Sequence, residues 1–501
     1  MQSLYTLINA SIPLLSEGYR IGLDWLGQFV QAIIESVGII GVGIICFTLI
    51  LKAITLPFDS YQRYKSRKQT LIMRGMKDDL DKLQKQYAND KTMYNQKMME
   101  LYKKNGYNVF AACLPMLISF AVIIVAFQGF NAYSRYANLD FFVQMSASYN
   151  SAITAHGTAG IDYTLLRDEG GNIVAEGENY TLVYGEGDAR QEKSVAPGAS
   201  FEQDGCVYTL KAVSAGGTQN YLLSVVPSDE AKFIYYEYSP AETRVTKSYY
   251  ADTARLSSYL KANDAEAYAQ FEAAENKETA AESYVKKLGA DSAKNWYENN
   301  RANFLWVENV WYPDVSYNHP IPETYAKFQQ NFGSVQVTFD DGSTAQLQSI
   351  LTEKNYEDLT ASLTEEKEAP NGYFGLIILS IGLMVLSQFV MMRSQKESNQ
   401  YQTVDGQGAK TQKIMLIAMP LIYAVFAFMY SAAFTIYMLI SSLFSLLVTL
   451  ISNFILGIVF KKKEEQKVRE NLGYKPQWMI DREQREGKDQ GKSRKNTNKK
   501  E

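Results

Sequence analysis

One cation interrupts an apolar run. In IICFTLILKAITLPF, residues 44–58, Lys52 stands alone among aliphatic, aromatic, cysteine, threonine and proline residues. A lysine at the middle of a membrane helix costs roughly 2.5–3.5 kcal/mol on insertion scales, so it needs either a use or an escape. Thr48, Lys52 and Thr55 stand at i, i+4 and i+7 and share one helix face. Other apolar segments carry polar stripes too: Gln128 in one, Ser380, Ser387 and Gln388 in a second, Tyr437, Ser441, Ser445, Thr449 and Ser452 in a third. One such stripe is ordinary helix–helix glue. Several stripes and an ammonium together imply a shared hydrated cavity that attracts anions. The competing reading is that Lys52, five residues before Pro57, snorkels to the membrane surface. Either way the chemistry is charge attraction rather than bond making. HExxH, GxSxG, Walker A and CxxC patterns are absent and the two histidines are His156 and His319, so no enzyme, metal site or cofactor is expected.

The elements that must position these residues are membrane helices. Apolar runs at 39–58, 109–130 and 372–392 are each long enough to span a bilayer, and 414–460, uncharged over 47 residues, suits two spans turned near residues 430–433. The expected count is five. Charge sets the orientation. Lys/Arg against Asp/Glu is twelve to six in residues 59–108, four to two in 393–413 and fourteen to eight in the tail 461–501, but eighteen to thirty-five in 131–371. Basic short loops mark the cytoplasmic side, which puts the N-terminus and the acidic segment outside and the C-terminus inside. The N-terminal residues lack a basic stretch, so no cleavable signal peptide is expected. With Cys206 its one cysteine, the outer segment must rely on its core rather than on a disulfide.

Outside the spans, residues 1–38 form an outer segment whose 19–38 stretch has helical apolar spacing, from Leu23 to Val37, and reads as a helix lying in the outer interface with Trp25 at headgroup level. Residues 59–108 read as a cytoplasmic helical hairpin, with Ile72, Met76, Leu83 and Tyr87 on one stripe, Asp90 as an N-cap, and Tyr94, Met98, Leu101 and Tyr102 on a second stripe. Its methionines, Met73, Met76, Met98 and Met99 among them, suit either an adaptable receiving surface or plain hairpin packing. The segment 131–371 reads as an α+β domain. It is strand-like from 161 to 226, helical from 252 to 300, and a hairpin at 335–348 turns around Asp341 and Gly342. The fold class is therefore mainly α: a five-span polytopic bundle with a cytoplasmic hairpin and an inserted extracytoplasmic α+β domain.

An amphipathic helix, a span with a cation, DKLQKQYANDKTMYNQKMMELYKKNGYN and then CLPMLISFAVIIVAFQ resemble, in that order, the YidC/Oxa/Alb family of membrane protein insertases. NFLWVENVWYPD at 303–314, NGYFGLIILSIGLMVLSQ and the 413–451 run are similar to its outer loop and last three spans. The resemblance covers about 19–131 and 303–460. It implies a groove inside the bundle, open to cytoplasm and lipid, with Lys52 at the position of the family's cation, usually an arginine. That groove would take Thr48, Thr55, Gln128, Ser387, Gln388, Tyr437 and Ser441 as its lining. Nascent membrane proteins would be received on the hairpin and inserted into the bacterial plasma membrane, alone or with the Sec translocon, and the basic tail would meet ribosomes. DNA is not an expected partner. The alternative function is a polytopic transporter or channel using the same cavity; such proteins usually carry internal repeats and broken helices, and neither is evident here.

Overall fold

The computed structural model describes residues 19–106, 114–157, 161, 163–169, 173–185, 190–215, 218–238, 247–339, 342–394 and 408–471. The chain is mostly helical. It divides into two compact units, one of Met1–Gly43, Phe127–Gly375 and Phe428–Phe434, the other of Ile44–Ala126, Leu376–Ala427 and Thr435–Glu501.

The first unit holds every described strand: β1 (Tyr19–Ile21), β2 (Thr164–Leu165), β3 (Ala175–Glu176), β4 (Asn179–Tyr184), β5 (Gln191–Val195), β6 (Ser200–Gln203), β7 (Cys206–Ala215), β8 (Thr218–Pro227), β9 (Ile234–Tyr238), β10 (Lys247–Ala251), β11 (Gln336–Phe339) and β12 (Thr344–Gln346). Strands β6 to β10 form one antiparallel meander; β5 and β2 to β3 gather around β4; β1 pairs with β11, which pairs with β12. Asp204 and Gly205 take φ of 48° and 71° between β6 and β7. Two successive positive φ angles make the tight turn whose twist matches a hairpin, and the Asp-Gly pair tolerates them. Alternate residues of the meander point inward: Cys206, Tyr208 and Leu210 on β7, Tyr221, Leu223 and Val225 on β8. This period of two is the strand signature.

Three helices, Thr253–Asn263, Ala265–Ala273 and Lys277–Asn300, follow the meander, and Asp252, Asp264 and Asn276 cap their N-termini through side-chain oxygens. The last of them buries Ala281, Val285, Gly289 and Ala293 at intervals of four. A Cβ on Gly289 would lie 2.5 Å from the Tyr149 ring, so the glycine is what lets that ring seat. Tyr149 belongs to one 42-residue helix, Leu114–Ala155. Residues 131–155, to which sequence reading gave no element, are thus helical, and Leu139, Phe142, Met145, Tyr149 and Ile153 bury one side in the core. The amphipathic helix runs Trp25–Glu35, shorter than the Leu23–Val37 periodicity, because the Asp24 carboxylate accepts from Gly27 N at 2.6 Å and begins it there. Trp25 is exposed.

Within the NFLWVENVWYPD motif the backbone is tied by buried side-chain amides. Asn309 N donates to Asn371 Oδ1 at 2.8 Å, while Asn371 Nδ2 donates to Asn309 O at 3.0 Å and Pro313 O at 2.8 Å. Asn309 Nδ2 reaches Asn138 Oδ1 at 3.1 Å, and Asp314 Oδ1 accepts from Tyr373 N at 2.9 Å and Trp306 Nε1 at 3.3 Å. All four of Asn138, Asn309, Asp314 and Asn371 are buried. A buried loop must satisfy its backbone this way, so the motif's Asn and Asp are structural.

In the second unit, and among the described residues of the chain, three helical stretches are long and apolar enough to cross a membrane: Ile40–Lys65, Gly375–Arg393 and Ala432–Val459. Each of the three begins in the other unit, at Ile40, Gly375 and Ala432. The remaining two expected spans fall on Leu114–Ala155 and on Gly408–Met429, where the apolar stretch counted is the shorter Pro420–Met429. The turn expected near 430–433 lies between Met429 and Ala432. Pro57 and Pro420 sit inside helices, each removing a backbone donor. Helices Lys77–Gln86 and Lys91–Lys104 form the hairpin, with the Asp90 carboxylate accepting from Met93 N at 3.0 Å. The tail beyond residue 471 lies outside the described residues.

Candidate functional site

Lys52 lies in the helix Ile40–Gly75 and is half-buried. The helix buries Ile44, Phe47 and Thr48 nearby. Among the described residues the Lys52 ammonium makes no hydrogen bond and no ion pair. The two threonines beside it do not solvate it with their protons. Thr48 Oγ1 donates back to Ile44 O at 2.7 Å, and Thr55 Oγ1 to Lys52 O at 3.3 Å. Such bonds keep a hydroxyl inside a helix without exposing a donor. Each oxygen still has acceptor capacity, which suits an ammonium or water more than an anion.

The same face continues towards the hairpin with Asp59 and Arg63, at seven and eleven residues from Lys52. The charges of Asp59 and Arg63 both reach Lys52. Arg63 Nη1 donates to Thr449 Oγ1 at 2.7 Å, and that hydroxyl donates in turn to Ser445 O at 2.6 Å. Thr449 and Ser445 belong to the polar stripe of Ala432–Asn471, so this bond brings the charged face of one helix against the hydroxyl stripe of another. Arg63 Nε is buried and has no partner among the described residues. Sequence reading passed over Arg63 because it opens a run of cations at 63, 65, 67 and 68. The spacings of four and eleven from Asp59 and Lys52 were the available signal.

The expected lining divides. Lys52, Thr48, Thr55, Ser387, Gln388, Tyr437 and Ser441 all belong to the second unit. Tyr437 is buried, while Ser387, Gln388 and Ser441 are half-buried. Gln128 is exposed and falls in the first unit, apart from that set.

The hairpin has its own small core of Met76, Leu80, Tyr94, Met98 and Tyr102, with Ile72, Leu83, Tyr87 and Leu101 packed against it. Met76 and Met98 are therefore interior packing and offer no open surface, because the two helices close on them. Met99 and Met93 are exposed. The side chain of Met73 lies outside the described residues. Exposed pairs such as Lys97–Glu100, at 2.9 Å, decorate the surface and contribute little to stability.

Residues 32–161 match the family model described as 60Kd inner membrane protein. The chain is 32% identical over 139 residues to a membrane protein insertase YidC of Clostridium tetani, a stretch that makes up 27% of this chain and 61% of that protein. It is 35% identical over 109 residues to a YidC insertase of Fusobacterium nucleatum, covering 22% and 51%. With that of Caldanaerobacter subterraneus it shares 31% over 117 residues, covering 23% and 55%. The chain thus spans between half and two thirds of the length of these relatives. No solved structure matches it.

Proposed function

The chain belongs to the YidC/Oxa/Alb family, and from that premise we propose that it is an insertase of the bacterial plasma membrane, moving hydrophobic segments of nascent proteins into the bilayer through a hydrated groove whose charge is Lys52. The observation that carries this reading is an ammonium with no hydrogen bond or ion pair among the described residues, on a helix long and apolar enough to cross a membrane. A cation held in partly desolvated surroundings attracts a carboxylate more strongly than one in water. It would draw in the polar, acidic outer segment of a substrate while the apolar part slides into lipid. Ser387, Gln388, Tyr437 and Ser441 would keep the path wet. Met93 and Met99 would offer the hairpin's apolar contact to incoming chains. The basic tail would dock ribosomes and anionic lipid, where each cation contributes about 1 kcal/mol, and the Sec translocon would be a partner for larger substrates. The same proposal places five spans with the N-terminus and the acidic segment outside, following the Lys/Arg bias.

The test is insertion of paired single-span substrates with neutral or acidic outer tails. Lys52→Arg should retain activity, since both side chains are cationic at neutral pH. Lys52→Ala should slow acidic-tailed substrates about tenfold, equivalent to ~1.4 kcal/mol of lost attraction, and spare neutral ones. The Lys52→Ala protein should still accumulate, because removing the charge removes a desolvation cost. Full activity of that variant on acidic tails at normal expression refutes the groove-charge reading in favour of snorkelling.

A further inference from the structure

We infer that Arg63 forms a second anion station, a carboxylate site at the cytoplasmic mouth of the groove that an acidic substrate segment meets before it reaches Lys52. The inference rests on the insertase reading and extends it to a residue that the sequence motifs do not single out. Eleven residues are three helical turns, so Arg63 and Lys52 share one face and lie about 16 Å apart along it.

The geometry at Arg63 is that of a cation held ready for an anion. A guanidinium carries five donors in a planar fork. Here one of them, on Nη1, meets a neutral hydroxyl, Thr449 Oγ1, at 2.7 Å. The Nε–H is shut away from solvent without a partner among the described residues. A buried donor left unpaired is costly, and more so on a charged group. A carboxylate would satisfy Nε and a terminal nitrogen together, in the bidentate form that an arginine fork favours, once the guanidinium swings off Thr449 and exposes that edge. Asp59, between the two cations on the same face, forms an ion pair with neither among the described residues. Its charge is felt by both cations, but its carboxylate is seated on neither, so the contact positions are not filled by the chain's own acid.

Thr449 helps to decide what occupies the site. It is buried, at 3% exposure, and belongs to the helix Ala432–Asn471. The arginine therefore points at the stripe that lines the groove rather than outward to lipid. That favours a segment passing along the groove over a phosphate arriving from the inner leaflet. Two stations on one line also have a use: the first concentrates acidic segments at the mouth, and the second draws them inward.

The experiment uses the full chain in proteoliposomes and single-span substrates whose outer tails carry no acid or two aspartates. Arg63→Gln should lower the initial insertion rate of the acidic-tailed substrate about fivefold and leave the neutral one within twofold. Arg63→Lys should restore at least half of the acidic-tail rate. If Arg63→Gln does not fold, Arg63→Lys together with a photo-crosslinker at Ser445 keeps the test open, because acidic tails should then crosslink at least threefold more than neutral ones. Equal losses for both tails, or equal crosslinking, would reduce Arg63 to a structural latch and overturn the inference. A loss that follows the change from phosphatidylglycerol to phosphatidylcholine vesicles, whatever the tail, would assign the site to lipid phosphate and overturn it too. Failure of the insertase reading looks different: the unaltered chain inserts neither substrate, or Lys52→Ala discriminates nothing while Arg63→Gln still slows the acidic-tailed substrate.

Discussion

Asn371 is the residue whose loss should most disturb the loop at 303–314. Its side chain is fully buried and makes three hydrogen bonds to backbone, accepting from Asn309 N and donating to Asn309 O and Pro313 O. The two carbonyls keep other partners, since Tyr312 N donates to Asn309 O at 3.1 Å and Val315 N to Pro313 O at 2.9 Å. The Asn309 N–H has no substitute. Asn371→Ala therefore strands one buried donor, at about 1–3 kcal/mol, and removes two further bonds at about 0.5–1.5 kcal/mol each. The total is roughly 4 kcal/mol. At about 2–4 °C per kcal/mol for a large unit, the melting temperature should fall by about 8–16 °C. The assay is a thermal scan of the purified chain in detergent at one scan rate, followed by tryptophan fluorescence, to which Trp306 and Trp311 of this loop contribute with three others. Asn299→Ala is the control, because that amide is exposed and bonds only within its own helix; it should shift the transition by less than about 2 °C. If Asn371→Ala matches that control, the amide knot does not hold the loop and the accounting above is wrong.

Two further predictions concern topology and pH. Cysteines engineered at Ser200 and Ser343 should react with an impermeant reagent added to intact cells, and those at Ser66 and Gly408 should not; labelling of Ser66 and Ser200 from the same side would overturn the expected orientation. His156 stacks on Phe233 at 4.9 Å, and burial holds its pKa below the ordinary imidazole value. A depressed value means the folded chain resists the proton that the unfolded chain takes up. Stability from this group is therefore complete above the ordinary value near 6.5 and is lost as pH falls through the folded one. The melting temperature of the chain should drop between pH 7 and pH 5, and His156→Phe should flatten that slope; an unchanged slope removes His156 as its cause.

What could be read in advance tracked the range of the interactions. The hairpin was legible because its stripes and its Asp90 cap are local, and the Met429–Ala432 break because an uncharged run of 47 residues must turn. Strand β1 was not, since its register is set by Phe339, Thr338 and Val337, more than 300 residues on. The helical 131–155 stretch mixes tyrosine, serine and asparagine with its apolar residues, so periodicity alone did not raise it above the surrounding loop. The site shows the same division. Lys52 announces itself by contrast with its neighbours, whereas Arg63 sits in a basic run and becomes distinct only through Thr449, 386 positions away. Met76 and Met98 show the converse limit: composition marks adaptable residues but not which side of the helix they occupy.

The amide pairing of Asn309 with Asn371 has a consequence for how the chain can be edited. It brings two distant backbone positions together, and Asn371 N donates to Asn318 O at 2.7 Å just inside them. Everything between 319 and 370 is an excursion that leaves and returns at one clasp. Lengthening such a loop is cheap once its ends are held, since each doubling adds only about 0.6 kcal/mol of closure entropy. The clasp thus fixes the two ends of the segment but does not make its interior exchangeable: Phe328, Phe332, Leu347 and Tyr356 sit in the core and β11 carries β1, so an engineer can lengthen its exposed turn at Gly342 and Ser343 but must keep those buried faces.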